Sequence, residues 1–285
     1  MAPHFLEGEI PNEKPDKAAV HIIPVPLENT TSYGSGTATG PAAIIEASKQ
    51  LELWDGSRMP ALSGIHTAEP VDCSKEIAKT LDRIEDAVAY ALECEALPLV
   101  LGGEHTVTLG ALRAMKQKYG RFGVVQFDAH ADLRNTYQGS PFSHACVMRR
   151  AMDDLRIPVF QVGVRALCAE EADYRKSQSV PCLDARKLHL KGIPTQVLPP
   201  DFPERIYITF DVDGLDPSVI RATGTPVPGG LSWHDVLTLL ERITAGRQVV
   251  GADVVELAPT PGDHASDFAA AQLAYCLLGM SLPRD

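Results

Sequence analysis

Asp128, His130 and Asp132 occupy alternate positions just after the apolar run Gly123-Val-Val-Gln-Phe127, and all three are metal-binding residue types. In extended chain, residues two apart project to the same side, so the trio would converge just past a strand's C-terminal end. Taken alone, the stretch also reads as a polar strand end whose aspartates cap the next segment. Asp211 and Asp213 repeat the alternation after Tyr207-Ile-Thr-Phe210, and His105 follows the turn Gly102-Gly103-Glu104. These six candidate ligands comprise four carboxylates and two imidazoles. Carboxylates gathered so closely oppose one another's ionisation, and two divalent cations would balance the four charges. With no thiolate in the set, the donors suit manganese, while zinc, iron, cobalt and nickel remain open because affinity alone favours several of them.

Two metals about 3.5 to 4 Å apart can hold a water and lower its pKa toward neutrality, which makes metal-assisted hydrolysis the reaction class. Phosphoryl transfer would call for a glycine-rich loop leading to a lysine, whereas Gly102-Gly103 leads to acidic Glu104.

The elements that must position these residues are visible as short apolar runs. Ala18 to Pro26, Pro98 to Leu101, Gly123 to Phe127, Val159 to Val164, Ile206 to Phe210 and Val249 to Val254 read as buried strands. Between them lie helical patterns. Pro41 fits the first turn of a helix carrying Ile44, Ile45 and Leu51. Ser74 to Ala96 places Ile77, Leu81, Ile84, Val88 and Leu92 on one stripe, with Ser74 as N-cap and Glu76 in the first turn. Continuously apolar strands alternating with helices predict an α/β fold: three αβα layers around a mainly parallel sheet. In such sheets ligands bind beyond the strands' carboxyl ends. The rule collects Glu104 and His105, then Asp128, His130 and Asp132, then Asp211, Asp213 and Asp216, and finally Glu256, at one edge.

The 285 residues show no repeat, low-complexity tract or linker, and residues 1–285 are read as one domain. Residues 1–17, with three prolines and several charges, are expected to form an extended arm, loose or laid on a neighbouring subunit. A formal charge of -11 disfavours nucleic acid as a partner and weakly favours cationic ligands. Cys73, Cys94, Cys146, Cys168, Cys182 and Cys276 form no short metal-type spacing and read as free thiols of a reducing compartment. The acidic, proline-broken start lacks the features of a signal peptide, and the apolar runs are too short to span a bilayer. A cytoplasmic location without membrane association is expected.

Gly102-Gly-Glu-His105, Asp128-Ala-His-Ala-Asp132 and Asp211-Val-Asp-Gly-Leu-Asp-Pro217 resemble the three metal signatures of the arginase/agmatinase ureohydrolase family, in that family's order. The resemblance extends through Gly40-Pro41-Ala-Ala-Ile44, Gly163-Val-Arg165, Thr223-Gly-Thr-Pro-Val-Pro-Gly-Gly230 and Asp253-Val-Val-Glu256. It implies an arginase-like fold, two manganese ions per subunit and assembly as a homotrimer or homohexamer. By the same resemblance, His105 and Asp132 belong to one metal, His130 and Asp213 to the other, and Asp128 and Asp211 bridge both. A hydroxide between the metals would attack the guanidinium carbon, giving urea and an amine. Glu256 matches the guanidinium-binding carboxylate, whose charge and acceptor geometry suit a planar cationic fork. Asp132 would share in proton transfer, and His144 matches a proton-shuttling histidine that also contacts substrate.

The loop Asp132-Leu-Arg-Asn-Thr-Tyr-Gln-Gly-Ser-Pro-Phe-Ser-His144 is similar to that of bacterial agmatinases, so agmatine, a polyamine precursor yielding putrescine, is the expected substrate. Two departures leave guanidinobutyrate, guanidine and arginine open. Ala258-Pro-Thr-Pro-Gly-Asp-His-Ala-Ser266 lacks a tyrosine and an acid found in many agmatinases, and the loop Glu28 to Gly40 lacks their arginine. A metal-binding regulatory paralogue without activity is the alternative of a different class. His21, His66, His189, His234 and His264 read as surface or hydrogen-bonded residues, Glu104 as structural, Asp216 as a turn former, and Trp54 and Trp233 as packing residues.

Overall fold

The apolar runs become parallel strands β1 (Val20–Val25), β2 (Ile65–Thr67), β3 (Leu97–Gly102) and β4 (Gly123–Phe127). The second half of the chain adds β5 (Val159–Val162), β6 (Cys182–Leu183), β7 (Arg205–Asp211) and β8 (Gln248–Val255). These assignments come from a computed structural model that describes residues 3–283. The strands form one eight-stranded sheet in the order β2-β1-β3-β8-β7-β4-β5-β6, and every neighbouring pair is parallel. The inner four, β3, β8, β7 and β4, are the strands that lead into the candidate site.

Among the described residues, seven α-helices connect them, α1 (Gly40–Ser48), α2 (Ile77–Glu93), α3 (Val107–Tyr119), α4 (Val147–Asp153), α5 (Ala169–Ser177), α6 (Ala185–Lys191) and α7 (Trp233–Thr244), and α8 (His264–Ser281) follows β8. Alternation along the strands sorts the core into two layers. Leu99, Leu101, Ile208 and Phe210 pack with Ile44 of α1, Leu239 of α7 and Leu277 of α8. Val100, Tyr207 and Val255 pack on the opposite face with Leu81 and Ile84 of α2 and Leu112 of α3. The expected three-layer αβα arrangement is therefore present. Among the described residues no helix is long and apolar enough to cross a membrane.

Several local expectations are corrected. β2 and β6, absent from the sequence reading, are only three and two residues long, too short to carry a period. The helix expected from Ser74 begins at Ile77, because Asp72 Oδ1 accepts the Ser74 N–H at 2.9 Å and holds that segment in a turn, leaving Glu76 extended at the N-cap. Trp233 packs against the core as expected, whereas Trp54 is 61% exposed. Its position between α1 and β2, in a loop stitched by Asp55 to Ser57 and Arg58, gives it no core surface to cover.

The N-terminal arm, of which residues 1 and 2 lie outside the described residues, packs on the chain's own edge rather than standing loose. Phe5 and Leu6 are completely buried. Phe5 N–H donates to Thr67 Oγ1 at 3.0 Å, Leu6 N–H to Ser48 Oγ at 2.8 Å, and Asn12 accepts from the Thr67 N–H at 2.7 Å. The arm thereby covers the exposed side of edge strand β2, which would otherwise offer unpaired backbone groups to another chain. Two apolar residues hidden among prolines and charges show no period, so composition alone misses this anchor. Phe5→Ala is expected to lower unfolding free energy by about 3 kcal/mol in urea titration, as for a buried aromatic; a change below roughly 0.5 kcal/mol would mean that the arm contributes nothing.

Candidate metal centre

Four adjacent central strands end at one edge, and four different turns present their polar residues there. After β3 the chain doubles back so tightly that a Cβ on Gly103 would lie 2.0 Å from the Leu27 carbonyl oxygen. Gly103 N–H donates to Val25 O and Glu104 N–H to Leu27 O, both at 2.8 Å, which fixes His105 just ahead of α3. After β4 the chain stays open until Asp132, whose φ of 51° is left-handed. After β7, Asp211 Oδ1 accepts the Asp213 N–H at 2.8 Å and folds the turn. After β8, Glu256 also adopts a left-handed φ of 65°, with its N–H donating to Gly103 O at 2.8 Å. Left-handed backbone at residues other than glycine costs about 1 to 3 kcal/mol, so tertiary contacts must hold Asp132 and Glu256 there.

All six residues expected to be metal ligands meet at this edge. Ligand atoms of His105, Asp128 and Asp132 form one cluster capable of holding a metal ion, and those of Asp128, His130 and Asp213 form a second. Asp128 is shared by both. His105 Nδ1 lies 3.0 Å from Asp132 Oδ2, 3.2 Å from Asp128 Oδ2 and 3.6 Å from Asp211 Oδ2. His130 Nδ1 lies 3.0 Å from Asp213 Oδ2 and 3.5 Å from Asp128 Oδ1. Asp211 thus reaches the first cluster directly, and touches the second through its bond to the backbone of Asp213.

Outer hydrogen bonds orient these groups. His105 Nε2 pairs with Thr209 Oγ1 at 2.8 Å, and Thr209 Oγ1 donates to Asp253 Oδ1 at 2.6 Å. That chain makes Nε2 the protonated nitrogen of a neutral His105 and turns the Nδ1 lone pair toward the carboxylates. Nδ1 is a buried polar atom with no hydrogen bond of its own. An imidazole nitrogen aimed at three carboxylate oxygens is an arrangement that a shared cation satisfies, and the residues present therefore fit a metal pair. Gln126 Nε2 donates to Asp128 Oδ2 at 2.7 Å, and Ala129 N–H to Asp213 Oδ1 at 3.0 Å, fixing both carboxylates in place.

In the protein alone, protons meet the demand for positive charge. Burial, with Asp128 close by, pushes the Asp132 carboxyl up to about 7. Burial, with Asp213 and Asp128 alongside, raises Asp211 well above the usual range, and burial lifts Glu256 to about 8. Burial would lower both histidines, but the negative carboxylates of Asp128 and Asp132, 3.2 and 3.0 Å from Nδ1, outweigh it and raise His105, while Asp128 and Asp213 push His130 up to about 12. Desolvation would raise Asp128, yet both histidines hold it below the ordinary carboxylate value.

A cleft of about 310 Å³ opens onto this edge, lined by His130, Asp132, Asp211, Asp213, His144 and Glu256 among others. Glu256 Oε1 accepts the His105 N–H at 2.7 Å, so the guanidinium-binding candidate and a ligand candidate are tied together. His144 stands across the cleft at the end of the 132–144 loop, edge-on to Tyr137 with ring centroids 6.0 Å apart. Burial lowers its pKa. The other six histidines, His4 among them, lie outside the ligand clusters. His21 bonds Pro15 O at 2.9 Å and His66 bonds Glu13 O at 2.8 Å.

Sequence reading gave no role to Gln126, Thr209, Asp253 or Arg165. The first two precede Asp128 and Asp211 by two residues, on the same strand face, so the alternation that found the ligands also marks their supports. Buried Asp253 accepts from Thr108, Tyr207 and Thr209 side chains. Arg165 gathers the carbonyls of Asp213, Leu215 and Val227, fixing the turn after β7 from outside. Asp216 serves as a turn former, accepting from Ser218, Gly229 and Gly230 N–H groups. All six cysteines are free thiols.

Residues 18–279 match the arginase family. Among curated proteins, the chain is 39% identical to the N(1)-aminopropylagmatine ureohydrolase of Synechocystis sp., covering 96% of this chain and 92% of the relative. It is 32% identical to the agmatinase of Pyrococcus horikoshii over 97% of this chain and 96% of that protein. Among solved structures, the agmatine ureohydrolase of Thermoplasma volcanium superposes with a TM-score of 0.85 at 30% identity, over 94% of this chain and 92% of that one. With two His/Asp clusters at the carboxyl edge of an eight-stranded parallel sheet, and a family match across nearly the whole chain, this protein belongs to the arginase family of ureohydrolases.

Proposed function

We propose that this chain hydrolyses the guanidino group of agmatine to urea and putrescine, using two manganese ions held by His105, Asp128, His130, Asp132, Asp211 and Asp213. The buried, unpartnered Nδ1 of His105 facing three carboxylates is the observation that carries the reading. Such a pair, when bound, supplies two Lewis-acid centres that make water acidic enough to react near neutral pH. Glu256 would receive the guanidinium with Oε2, since Oε1 is already engaged by the His105 N–H. Asp132, at the cleft wall beside His105, would accept a proton from the attacking water. His144 would pass a proton to the departing nitrogen. A C–O bond forms, the C–N bond to the amine breaks, and both protons of the water end on the departing nitrogen as an ammonium.

A tail without a carboxylate is supported by the 132–144 loop and by the acidic Glu171 lining the cleft. N(1)-aminopropylagmatine is a second reading, favoured by the 39% identical relative of that name. It shares the guanidino end and lengthens only the cationic tail, so every role above is retained.

Three outcomes test these readings. Manganese-loaded protein is expected to release urea from agmatine, and Glu256→Gln to lower kcat/KM about a hundredfold, near 3 kcal/mol of charge-assisted binding; urea from no guanidino compound would instead support the inactive paralogue. Across agmatine, N(1)-aminopropylagmatine, guanidinobutyrate, guanidine and L-arginine, the two amine-tailed compounds should give the highest kcat/KM, and a preference for arginine would overturn the substrate class while leaving the mechanism intact. Metal binding should displace the protons now held by the site. Affinity measured by titration calorimetry should therefore rise with pH through about 7, where Asp132 gives up its proton, and fall roughly tenfold per pH unit for each displaced proton below that; an affinity flat from about pH 6 to about pH 8 would contradict the assignment of Asp132.

A further inference from the structure

Thr30 lies in the early loop, outside every motif that carries the family resemblance, yet its side chain sits between a buried carboxylate and the candidate proton carrier. Glu104 is fully buried. One of its oxygens accepts the backbone N–H groups of Asn29 and Thr30, the latter at 2.6 Å, and the other accepts the Thr30 hydroxyl at 2.8 Å. A hydroxyl has one proton, and a carboxylate can only accept. With its proton committed to Glu104, Thr30 Oγ1 faces His144 solely as an acceptor. It receives the His144 backbone N–H at 3.0 Å and stands 3.1 Å from Nδ1 of the same residue.

A neutral imidazole carries one N–H and one lone pair. Because Oγ1 can only accept, Nδ1 is the nitrogen that bears the proton, and Nε2 is left with its lone pair. Among the described residues, Ser143 Oγ is the other side-chain partner of that atom; at 3.4 Å, beyond the ordinary hydrogen-bond range, it is the weaker of the two. His144 lines the cleft, and among the described residues no protein group bonds its Nε2.

We propose that Thr30, seated by Glu104, is a positioning residue that holds His144 as the Nδ1–H tautomer with Nε2 open to the cleft. The inference rests on the proton-carrying role given to His144 above. In that role Nε2 takes up a proton released as water adds to the guanidinium carbon, then gives it to the amine nitrogen as the C–N bond breaks. His144 returns to the same tautomer and no other reactant is consumed. In the other tautomer Nε2 would already carry a proton and could accept none, so the cycle could not begin. Burial, which lowers the His144 pKa, keeps the imidazole in the neutral form that this choice of tautomer requires.

Steady-state kinetics of metal-loaded Thr30→Val, Thr30→Ser, His144→Asn and the double variant Thr30→Val/His144→Asn test the proposal. Valine keeps the volume and loses the acceptor. It should lower kcat at least about tenfold with KM changed by less than about twofold, within the range spanned by a misplaced acid–base group. Serine should restore kcat to within about threefold of the parent, and in the double variant the loss should equal that of His144→Asn alone, since both act through one imidazole. Full kcat in Thr30→Val, losses that multiply in the double variant, or failure of serine to rescue would each overturn the proposal. Metal content of every variant is measured alongside, and a Thr30→Val protein that loses metal together with activity would mark a structural role and overturn it equally. If the parent enzyme is active and His144→Asn retains its kcat, the role of His144 itself fails. Absence of urea from the parent would sink the hydrolase reading instead.

Discussion

Five acidic side chains, Asp128, Asp132, Asp211, Asp213 and Glu256, are buried at one sheet edge, each less than a tenth exposed. Two unit charges about 4 Å apart repel by about 4 kcal/mol even at the effective dielectric typical of a protein surface. Several such pairs together rival the whole stability of a domain, about 5 to 15 kcal/mol. Packing cannot offset that cost locally, because these oxygens face each other and not a hydrocarbon layer. Only positive charge can, supplied either by protons or by metal ions. The two histidines and the raised carboxyl pKa values are the protonic solution, and the shared position of Asp128 between two clusters is the geometry of the metallic one.

The constraint reaches backward into the fold. Ligands on one strand could not converge from two sides, so the groups come from β3, β8, β7 and β4, four neighbours in the sheet. Their parallel direction puts all four carboxyl ends at one edge, and two helical layers keep water from the rest of each strand. Within the strands, Gln126 and Thr209 interrupt otherwise apolar faces. Each is completely buried. Their hydrogen bonds to Asp128 and His105 explain why a polar residue is tolerated there, and the buried Asp253 carboxylate is kept satisfied by accepting from three hydroxyl groups.

Much of this was legible from simple patterns. Asp128, His130, Asp132, Asp211 and Asp213 follow from period-two alternation, the inner strands and the layers from continuously apolar runs separated by helical patterns, and the gathering of these residues with His105 from the rule that parallel sheets bind at their carboxyl ends. What escaped has no period. β2 and β6 are set by pairing with neighbours, not by propensity. The start of α2 is decided by competition between Ser74 as a cap and Asp72 as a turn former, which two similar polar residues leave undetermined in sequence. Phe5 and Leu6 look like part of a polar arm until the edge of β2 is in place. Thr30 and Glu104 are 74 residues apart, and only the fold brings them to His144.

Location divides the two departures from the agmatinase pattern. The residues lining the cleft include Thr31, Ser32, Tyr33 and Gly34 of the early loop but none from 260–266 among the described residues. Asp263 is occupied elsewhere: it accepts from Ser266 at the start of α8 and pairs with Arg221 at 3.1 Å. The altered sequence after Glu256 therefore bears on how α8 begins rather than on the reacting groups. The early loop is different. Gly34 lies so close to Gly224 that a Cβ would come within 2.8 Å of the Gly224 Cα, and Glu28 gathers the N–H groups of Gly36 and Ala38. Its path is thus set by backbone contacts, leaving Tyr33, 88% exposed, at the mouth of the cleft. Because the same loop carries Thr30 to His144, under the proposed roles a change at the cleft mouth would also reach the candidate proton carrier. Under that reading, substrate length and proton transfer would be coupled through one short segment, and the early loop would share with the 132–144 loop the choice among guanidino compounds.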